Sequence, residues 1–168
     1  TIPKIKNNFK QIISKETAYQ MTSILEGTVK RGTAKNLKDL NLDLGGKTGT
    51  TNKNTDTWFI GFSSNYVIGV YVGYDEPSSL GKYETGARTA MPIFKNFVKK
   101  TVKKDTARPF KIPQGIKMLV VNSKTGERAS YNDESIIIEA FKEKDLVNNK
   151  IQYGNIDYIS KENIYKFY

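Results

Sequence analysis

The chain contains neither histidine nor cysteine among its 168 residues. The missing histidine excludes a Ser-His-Asp triad, and the missing cysteine excludes a thiol nucleophile. Together the two absences exclude disulfide bonds and zinc sites built on imidazole or thiolate. An acyl-transfer enzyme with this composition must therefore use lysine as its base.

Long apolar runs are also missing, so the sequence predicts no membrane span and no signal peptide. Only carboxylate and carbonyl oxygens could bind a metal, and no carboxylate cluster has the spacing of a calcium loop. We therefore predict no metal and no cofactor. The chain begins at Thr1, without an initiator methionine, in a polar stretch. We expect it to be a segment of a longer protein.

Positive charge dominates, with a formal net charge of +10 and a pI near 9.6. Nucleic-acid binding is one interpretation of such a charge. The lysines are spread along the chain, however, and form only short pairs at residues 99–100 and 103–104. We predict a solvated basic surface and no nucleic-acid partner. A contribution to holding the protein near anionic lipid or wall polymer is the alternative.

Hydrophobic spacing predicts a helix that Ser14 caps, that carries Glu16 in its first turn, and that ends near Gly32. Its apolar residues recur at helical intervals: Ala18, Met21, Leu25 and Val29. Residues 33–44 are predicted to be a loop. Residues 57–63 and 66–74 predict an antiparallel strand pair with a turn at residues 64–65. Both faces of this pair are apolar, so we expect helices on both sides.

A loop is predicted at residues 77–86, followed by an amphipathic helix over residues 90–102 with Pro92 in its first turns. Pro109 and Pro113 bracket a linker. Residues 116–121 predict a strand, and residues 124–126 a turn. The pattern is weaker beyond residue 132, where residues 135–144 predict a helix and the last fifteen residues are expected to order only against a surface.

Residues 45–51, Gly-Gly-Lys-Thr-Gly-Thr-Thr, directly precede the strand pair. A Lys-Thr-Gly triplet is one of three motifs of the serine acyl-enzymes that act on D-alanyl peptides and β-lactams. Lysine supplies a fixed positive charge beside a reacting serine, and threonine hydroxyls hold a carboxylate. Glycine leaves room where a substrate must lie flat against a strand. The longer run, which continues as Asp-Thr-Trp-Phe-Ile-Gly-Phe over residues 56–62, is far more specific than the triplet.

This run resembles the C-terminal part of the transpeptidase domain of class A (bifunctional) penicillin-binding proteins. Other segments agree in the family's order: residues 17–25 leading to 31–34, residues 69–75, and residues 84–94. The resemblance covers about residues 14–108. It implies an α/β (more strictly α+β) fold of the penicillin-binding-protein and β-lactamase type, in which helices flank an antiparallel sheet. We predict a division into residues 1–108, the transpeptidase part, and residues 109–168, a C-terminal extension.

The resemblance also implies roles for single residues. Lys47 would assist proton movement, and the backbone N–H of Thr50 would be an oxyanion donor, which makes both catalytic. Thr48, Gly49, Thr50 and Thr51 would bind substrate, with the hydroxyls of Thr48 and Thr50 on a terminal carboxylate. Aromatic residues 58, 59 and 62 could form a ligand platform, but core packing is the preferred interpretation.

The family's other two motifs, Ser-x-x-Lys and Ser-x-Asn, are expected upstream of Thr1, so this chain is predicted to lack the nucleophile. Three literal matches are rejected: residues 79–82, because Gly81 would fall in a helix's first turn; residues 63–65, because they form a hairpin turn; and residues 130–132, because they lie in the extension.

The implied parent is a peptidoglycan synthase that cross-links D-Ala-D-Ala stem peptides and binds penicillin. It would have an upstream glycosyltransferase domain and a membrane anchor, and would lie in the periplasm or at the cell surface on the inner membrane. Alone, the chain is expected to be inactive and to self-associate. Two alternatives stay open: a DD-carboxypeptidase or β-lactamase relative, and a catalytically silent module that binds wall or nucleic acid.

Overall fold

The computed structural model describes residues 10–102 and 108–148. These residues form an α+β fold, as predicted, with two antiparallel sheets where one was expected. The elements in chain order are α1 (Lys15–Lys30), a 3-10 helix (Lys35–Leu40), β1 (Gly45–Thr50), a 3-10 turn (Asn52–Asn54), β2 (Asp56–Phe62), β3 (Val67–Gly73), α2 (Ala90–Thr101), β4 (Ile116–Asn122), β5 (Ile136–Lys142) and α3 (Glu143–Asn148).

The first sheet is a three-stranded antiparallel meander in the order β1-β2-β3. Its register places Lys47 opposite Ile60 and Gly49 opposite Trp58. The β2–β3 hairpin was predicted to within one residue at each boundary. Its turn is held by the Ser63 side chain, which accepts hydrogen bonds from two backbone amides of the turn.

A hydrophobic core forms on one face of this sheet. Phe59 of β2 and Phe94 of α2 are both fully buried, and their rings meet edge to face with centroids 4.9 Å apart. Burial of each such side chain stabilises the fold by about 1.5–3 kcal/mol. The core includes residues of α1, of the 3-10 helix and of the segments on either side of that 3-10 helix: Val29, Ala34, Leu37, Leu40 and Leu44.

The opposite face of the sheet differs from the prediction. We expected helices on both sides, but no element within residues 10–102 and 108–148 covers the face that carries Trp58 and Ile60. These side chains are 43% and 49% exposed, and Tyr71 beside them is 48% exposed. Core packing was therefore the right interpretation for Phe59 and the wrong one for Trp58. We refer to this surface as the open face.

Helix α1 begins and ends where predicted, but the side that it buries differs from the predicted apolar side. The Ser14 side chain caps it by accepting a hydrogen bond from the Thr17 amide at 3.2 Å. Its buried residues include Ser23 and Gly27, while Met21 is half exposed. The helix lies against β1 and β5. Its small buried residues, Ser23 and Gly27, allow its backbone to come close to both strands.

Two segments were assigned wrongly from the sequence. Residues 33–44 contain the 3-10 helix rather than only a loop, and residues 135–144 form β5 rather than a helix. Three consecutive isoleucines, residues 136–138, favour a strand because β-branched side chains pack well on a pleated surface. Pairing with β4, which sets Val120 opposite Ile138, then outweighs the helical spacing. The turn between β4 and β5 has Gly126 at φ 74°, as a tight turn requires.

The β4–β5 pair docks on α1 through polar contacts. The Gln20 side chain donates to the Ala140 carbonyl at 3.0 Å, and Arg31 forms an ion pair with Glu139. The division near residue 108 stays a prediction. The last fifteen residues lie outside the described residues. Within the part of the chain that the structure describes, no helix has both the length and the apolar character that crossing a membrane requires.

Candidate active site along strand β1

Strand β1 carries the Lys-Thr-Gly motif at an edge of the sheet. The Thr51 amide donates to the Asp56 carbonyl across the turn at 3.0 Å. Because hydrogen-bonded pairs alternate in an antiparallel ladder, Gly49 and Lys47 also bond to β2. The backbone groups of Thr48 and Thr50 consequently point away from β2, along the outer edge. The Thr28 hydroxyl marks the same edge, since it donates to the outward carbonyl of Gly46 at 2.6 Å.

The Lys47 side chain lies on the open face and is exposed. Its ammonium donates to the outward carbonyl of Thr48 at 2.8 Å and lies 3.5 Å from the Thr48 hydroxyl. The charge is therefore held at the outer edge of β1, where the N–H groups of alternate residues also point. A cation beside outward N–H donors suits an anionic or oxyanionic ligand.

The Thr50 hydroxyl is already used once as an acceptor. The amide of Gly86, in the β3–α2 loop (residues 74–89), donates to Thr50 Oγ1 at 3.1 Å. A hydroxyl has one proton to donate and two acceptor sites. This contact leaves the proton of Thr50 available to a bound carboxylate, while it fixes where the oxygen lies.

The β3–α2 loop is tied to the turn that follows β1. The Asn54 side chain donates to the carbonyls of Gly81 and Lys82 at 2.9 and 3.0 Å, and the Leu80 amide donates to the Asn54 carbonyl at 2.8 Å. Lys53 and Asn54 both have positive φ, at 65° and 54°. The turn therefore presents Asn54 to the loop through a sparsely populated backbone conformation.

A buried pair of hydroxyls fixes the base of the same loop. Thr57 and Thr89 lie 2.6 Å apart, and Thr89 donates to the Thr85 carbonyl at 2.9 Å. Because Thr89 has one proton, Thr57 must be the donor within the pair. The start of α2 is thereby joined to β2, opposite Thr50 in the register.

The predicted site residues thus lie together on one strand and the turn after it. Lys47, Thr48, Gly49 and Thr50 occupy consecutive positions of β1, and Thr51 follows at its end. The rejected serines lie elsewhere. Ser79 is in the β3–α2 loop, two residues before Gly81 at φ 131°; Ser63 is in the β2–β3 turn; and Ser130 is between β4 and β5. The catalytic and binding roles of the motif residues stay predictions.

Sequence reasoning missed a polar cluster beside the motif. Asp56 accepts a hydrogen bond from the Tyr71 hydroxyl at 2.7 Å and one from the Thr55 hydroxyl at 2.8 Å. The bond from Tyr71, followed by that from Thr55, holds the pKa of the Asp56 carboxyl below its usual range. The same bond to Asp56 raises the pKa of Tyr71. The only signal in the sequence was the pairing register, which brings two residues of neighbouring strands together.

The described residues contain no group of three acidic side chains that could hold a metal ion. The groups that β1 offers for chemistry are one lysine, two hydroxyls and outward backbone amides. That is the set of groups an acyl-transfer site uses around its nucleophile, to hold a substrate carboxylate and an oxyanion.

The family model of the penicillin binding protein transpeptidase domain matches residues 3–99. This match covers more than half of the chain. The chain belongs to the penicillin-binding protein transpeptidase family. The resemblance to class A penicillin-binding proteins that the Lys-Thr-Gly run predicted is thereby confirmed.

Similar proteins support this assignment. Penicillin-binding protein 1A of Rickettsia conorii is 39% identical over 94% of this chain and 21% of its own length. Penicillin-binding protein 1A of Pseudomonas aeruginosa is 39% identical over 81% of the chain and 17% of its own length. The crystal structure of penicillin-binding protein 1A from Haemophilus influenzae superposes with a TM-score of 0.69 at 30% identity, over 78% of this chain and 21% of that one. The chain spans about a fifth of the length of these relatives.

Proposed function

We propose that this chain is the Lys-Thr-Gly part of a DD-transpeptidase that cross-links peptidoglycan stem peptides and is acylated by β-lactams. The observation that carries the proposal is the arrangement on β1. The ammonium of Lys47 is held at the outward carbonyl of Thr48, and the N–H of Thr50 points along the same edge, away from β2. Membership of the transpeptidase family supports the proposal.

The proposed reaction begins with a serine outside this chain. Its oxygen bonds to the carbonyl carbon of the penultimate D-alanine, and the terminal D-alanine leaves with the serine's proton. An amino group of a neighbouring stem peptide then attacks the acyl-enzyme and releases the serine. A β-lactam would acylate the same serine, and the isolated chain, without it, would form no acyl-enzyme.

Each residue of the strand has a part in this reaction. Lys47 supplies the positive charge that assists proton transfer near the serine. The Thr50 N–H stabilises the developing oxyanion, and a pre-organised donor of this kind contributes about 2.7–4 kcal/mol to lowering the barrier. The hydroxyls of Thr48 and Thr50 hold the substrate carboxylate, with Thr51 at the rim, and Gly49 keeps the strand open to the substrate backbone.

The proposed partners are stem peptides that end in D-Ala-D-Ala and β-lactams. The relatives are bacterial proteins, and a cross-linking enzyme must meet its substrate outside the cytoplasm. We therefore place the parent protein in the periplasm or at the cell surface. An upstream glycosyltransferase domain and a membrane anchor belong to the same proposal.

The test is the acylation rate of Lys47→Ala in the product of the gene that encodes this chain with its upstream sequence. Reaction with a fluorescent penicillin should slow by up to about a hundredfold, because a charge-assisted contact worth up to about 3 kcal/mol is lost. The matched control is Lys124→Ala, a change to an exposed lysine of the β4–β5 turn. A wild-type rate for Lys47→Ala would refute the proposal.

Product analysis with stem peptides distinguishes the reaction types. A transpeptidase gives cross-linked dimers, whereas a DD-carboxypeptidase releases D-alanine and leaves monomers. Exclusive hydrolysis would replace the proposed activity with the carboxypeptidase alternative.

A further inference from the structure

A carboxylate with three local hydrogen bonds closes the turn directly after the motif. Asp56 accepts from the hydroxyls of Tyr71 at 2.7 Å and of Thr55 at 2.8 Å, and the Thr51 hydroxyl lies 3.3 Å from the same carboxylate. The Asp56 amide donates to Thr51 Oγ1 at 2.8 Å. We call these four residues, Thr51, Thr55, Asp56 and Tyr71, the Asp56 clamp.

The sequence leaves room for the clamp at Gly73. This residue pairs with Asp56 in the register and lies on the same face as Tyr71, two residues away. A methyl group at Gly73 would collide with the Tyr71 hydroxyl oxygen and lie 2.7 Å from Asp56 Oδ1. The hydrogen bond between Asp56 and Tyr71 therefore lies directly above Gly73, where any side chain would disrupt it.

The clamp contacts the candidate site in two ways. Thr51 directly follows Thr50, so a fixed turn fixes the end of β1. Tyr71 also packs against Trp58, with ring centroids 4.8 Å apart. Trp58 lies opposite Gly49 in the register, and a methyl group on Gly49 would be only 3.3 Å from Trp58 Cβ. The clamp thus sets both the end of the motif strand and the aromatic surface beside it.

Geometric precision at this point has a chemical consequence. An oxyanion donor must lie within hydrogen-bond distance of the atom that becomes charged, and a misplacement of about 1 Å can cost a hundredfold in rate. The Thr50 N–H is one residue from the clamp, and its position depends on the conformation of that turn.

We propose that Asp56 is a positioning residue for acylation, which acts through Thr51 and Tyr71 to hold the Thr50 amide and Trp58 in place. This role rests on the proposed function. The existence of the clamp does not, so the two are tested separately.

The first experiment uses the 168-residue chain, in which Trp58 is the only tryptophan. Tyr71→Phe removes one hydroxyl, and Gly73→Ala drives the partners apart. Both changes should move the Trp58 emission to longer wavelength and increase its quenching by acrylamide. The controls are Tyr131→Phe, at a fully exposed tyrosine, and Gly69→Ala, where a methyl group meets nothing within 4 Å. Emission identical to wild type in both test variants would show that the clamp does not form.

The second experiment measures penicillin acylation in the gene product that includes the upstream sequence. Asp56→Ala should lower the acylation rate constant about tenfold, the effect of losing one hydrogen bond to a charged group. The dissociation constant of the preceding non-covalent complex should not change. Asp56→Asn should lie between Ala and wild type, because its side-chain carbonyl still accepts from Tyr71. Asp43→Asn, at an exposed aspartate before β1, is the control.

The outcomes separate three possibilities. If Lys47→Ala leaves the rate unchanged, the proposed function fails. If Lys47→Ala slows acylation while Asp56→Ala and Tyr71→Phe do not, only the positioning role fails. A graded loss of rate in the order wild type, Asn, Ala, at unchanged affinity and at a temperature where all three proteins are folded, supports the role.

Discussion

At the scale of single residues, Thr50 shows how one side chain serves both the fold and the site. Its oxygen accepts the Gly86 amide at 3.1 Å, which ties the β3–α2 loop to the motif strand. Its proton remains for a ligand, and its own amide points along the outer edge of β1. The same residue therefore joins the loop to the motif strand and has a hydroxyl and an amide that could both donate to the proposed ligand.

We expect Thr50→Val to slow penicillin acylation about tenfold, less than Lys47→Ala, because one charge-assisted hydrogen bond is lost while the backbone donor survives. Thr50→Ser keeps the hydroxyl and should stay near the wild-type rate. Stopped-flow acylation of the upstream-extended protein is the measurement. If valine and serine variants are equally slow, the branched side chain matters rather than the hydroxyl.

Acidic solution should weaken the clamp. The folded-state pKa of Asp56 is lowered by the hydrogen bonds from Tyr71 and Thr55, so the ionised form stabilises the fold. This contribution is fully present above the unfolded-state pKa, about 3.9, and is lost as the pH falls through the folded-state value. The melting temperature of the chain, recorded between about pH 2 and 6, should fall more steeply for wild type than for Asp56→Asn. Parallel curves would contradict the prediction.

Alkaline solution should have the corresponding effect through Tyr71, whose pKa is raised by its bond to Asp56. The neutral phenol donates in the folded state, so its contribution is present below the unfolded-state pKa, about 10, and is lost as the pH rises through the folded-state value. Tyr71→Phe should remove this dependence, and a spectrophotometric titration would follow it.

The motif residues were predictable from the sequence, whereas the clamp was not. Residues 45–51, continued by residues 56–62, carry the family resemblance from which the strand and the roles of its residues were predicted. Asp56 and Tyr71 are fifteen residues apart and carry no motif. Their contact depends on a register that sets Asp56 opposite Gly73, and register follows from the whole hairpin rather than from either residue.

At the scale of elements, the β3–α2 loop packs closely against the backbones of β1 and β2 at Gly86. Gly86 is buried, and a methyl group there would lie 2.7 Å from the Gly49 carbonyl and collide with the Trp58 carbonyl. Both neighbours are backbone atoms of paired strands, so they cannot move aside cheaply. The loop must therefore lift away if this glycine is replaced.

We expect Gly86→Ala to destabilise the chain by about 1–3 kcal/mol, the usual cost of overpacking. In the upstream-extended protein it should also slow acylation, because Thr50 loses its amide donor. Gly69→Ala, in open space on β3, is the matched control and should leave stability unchanged. Chemical denaturation measures the first effect. Equal midpoints for the two variants would mean that the loop does not rest on β1.

Sequence patterns predicted elements where local and tertiary preferences agree. The β2–β3 hairpin and α2 combine strong periodicity with turn or cap residues, and their bounds were close to the structure. The prediction of a helix over residues 135–144 was wrong because the isoleucines pair with β4, whose residues are fourteen or more positions away in the sequence. The buried side of α1 was predicted wrongly because Gln20, Thr28 and Arg31 form hydrogen bonds or ion pairs with two different sheets. These contacts determine which side of the helix is buried.

At the scale of the whole molecule, the described residues form a sheet with one packed face and one open face. The packed face holds Phe59 and Phe94, and the open face holds Trp58, Ile60, Val67 and Tyr71. A contiguous apolar surface on a sheet is typical of an interaction site. The same surface borders Lys47, so whatever covers it also lies beside the motif.

We expect the 168-residue chain to self-associate through the open face, against the repulsion of its +10 charge. Salt screens that repulsion, so light scattering at micromolar concentration should report larger species as salt is added. Val67→Lys, at a site 76% exposed on this face, should restore monomers, whereas Ile12→Lys, at a site 79% exposed before α1, should not. A chain that stays monomeric at high salt, or that responds equally to both substitutions, would show that the open face is not the contact. Association that weakens with salt would instead indicate ion pairs between charged surfaces.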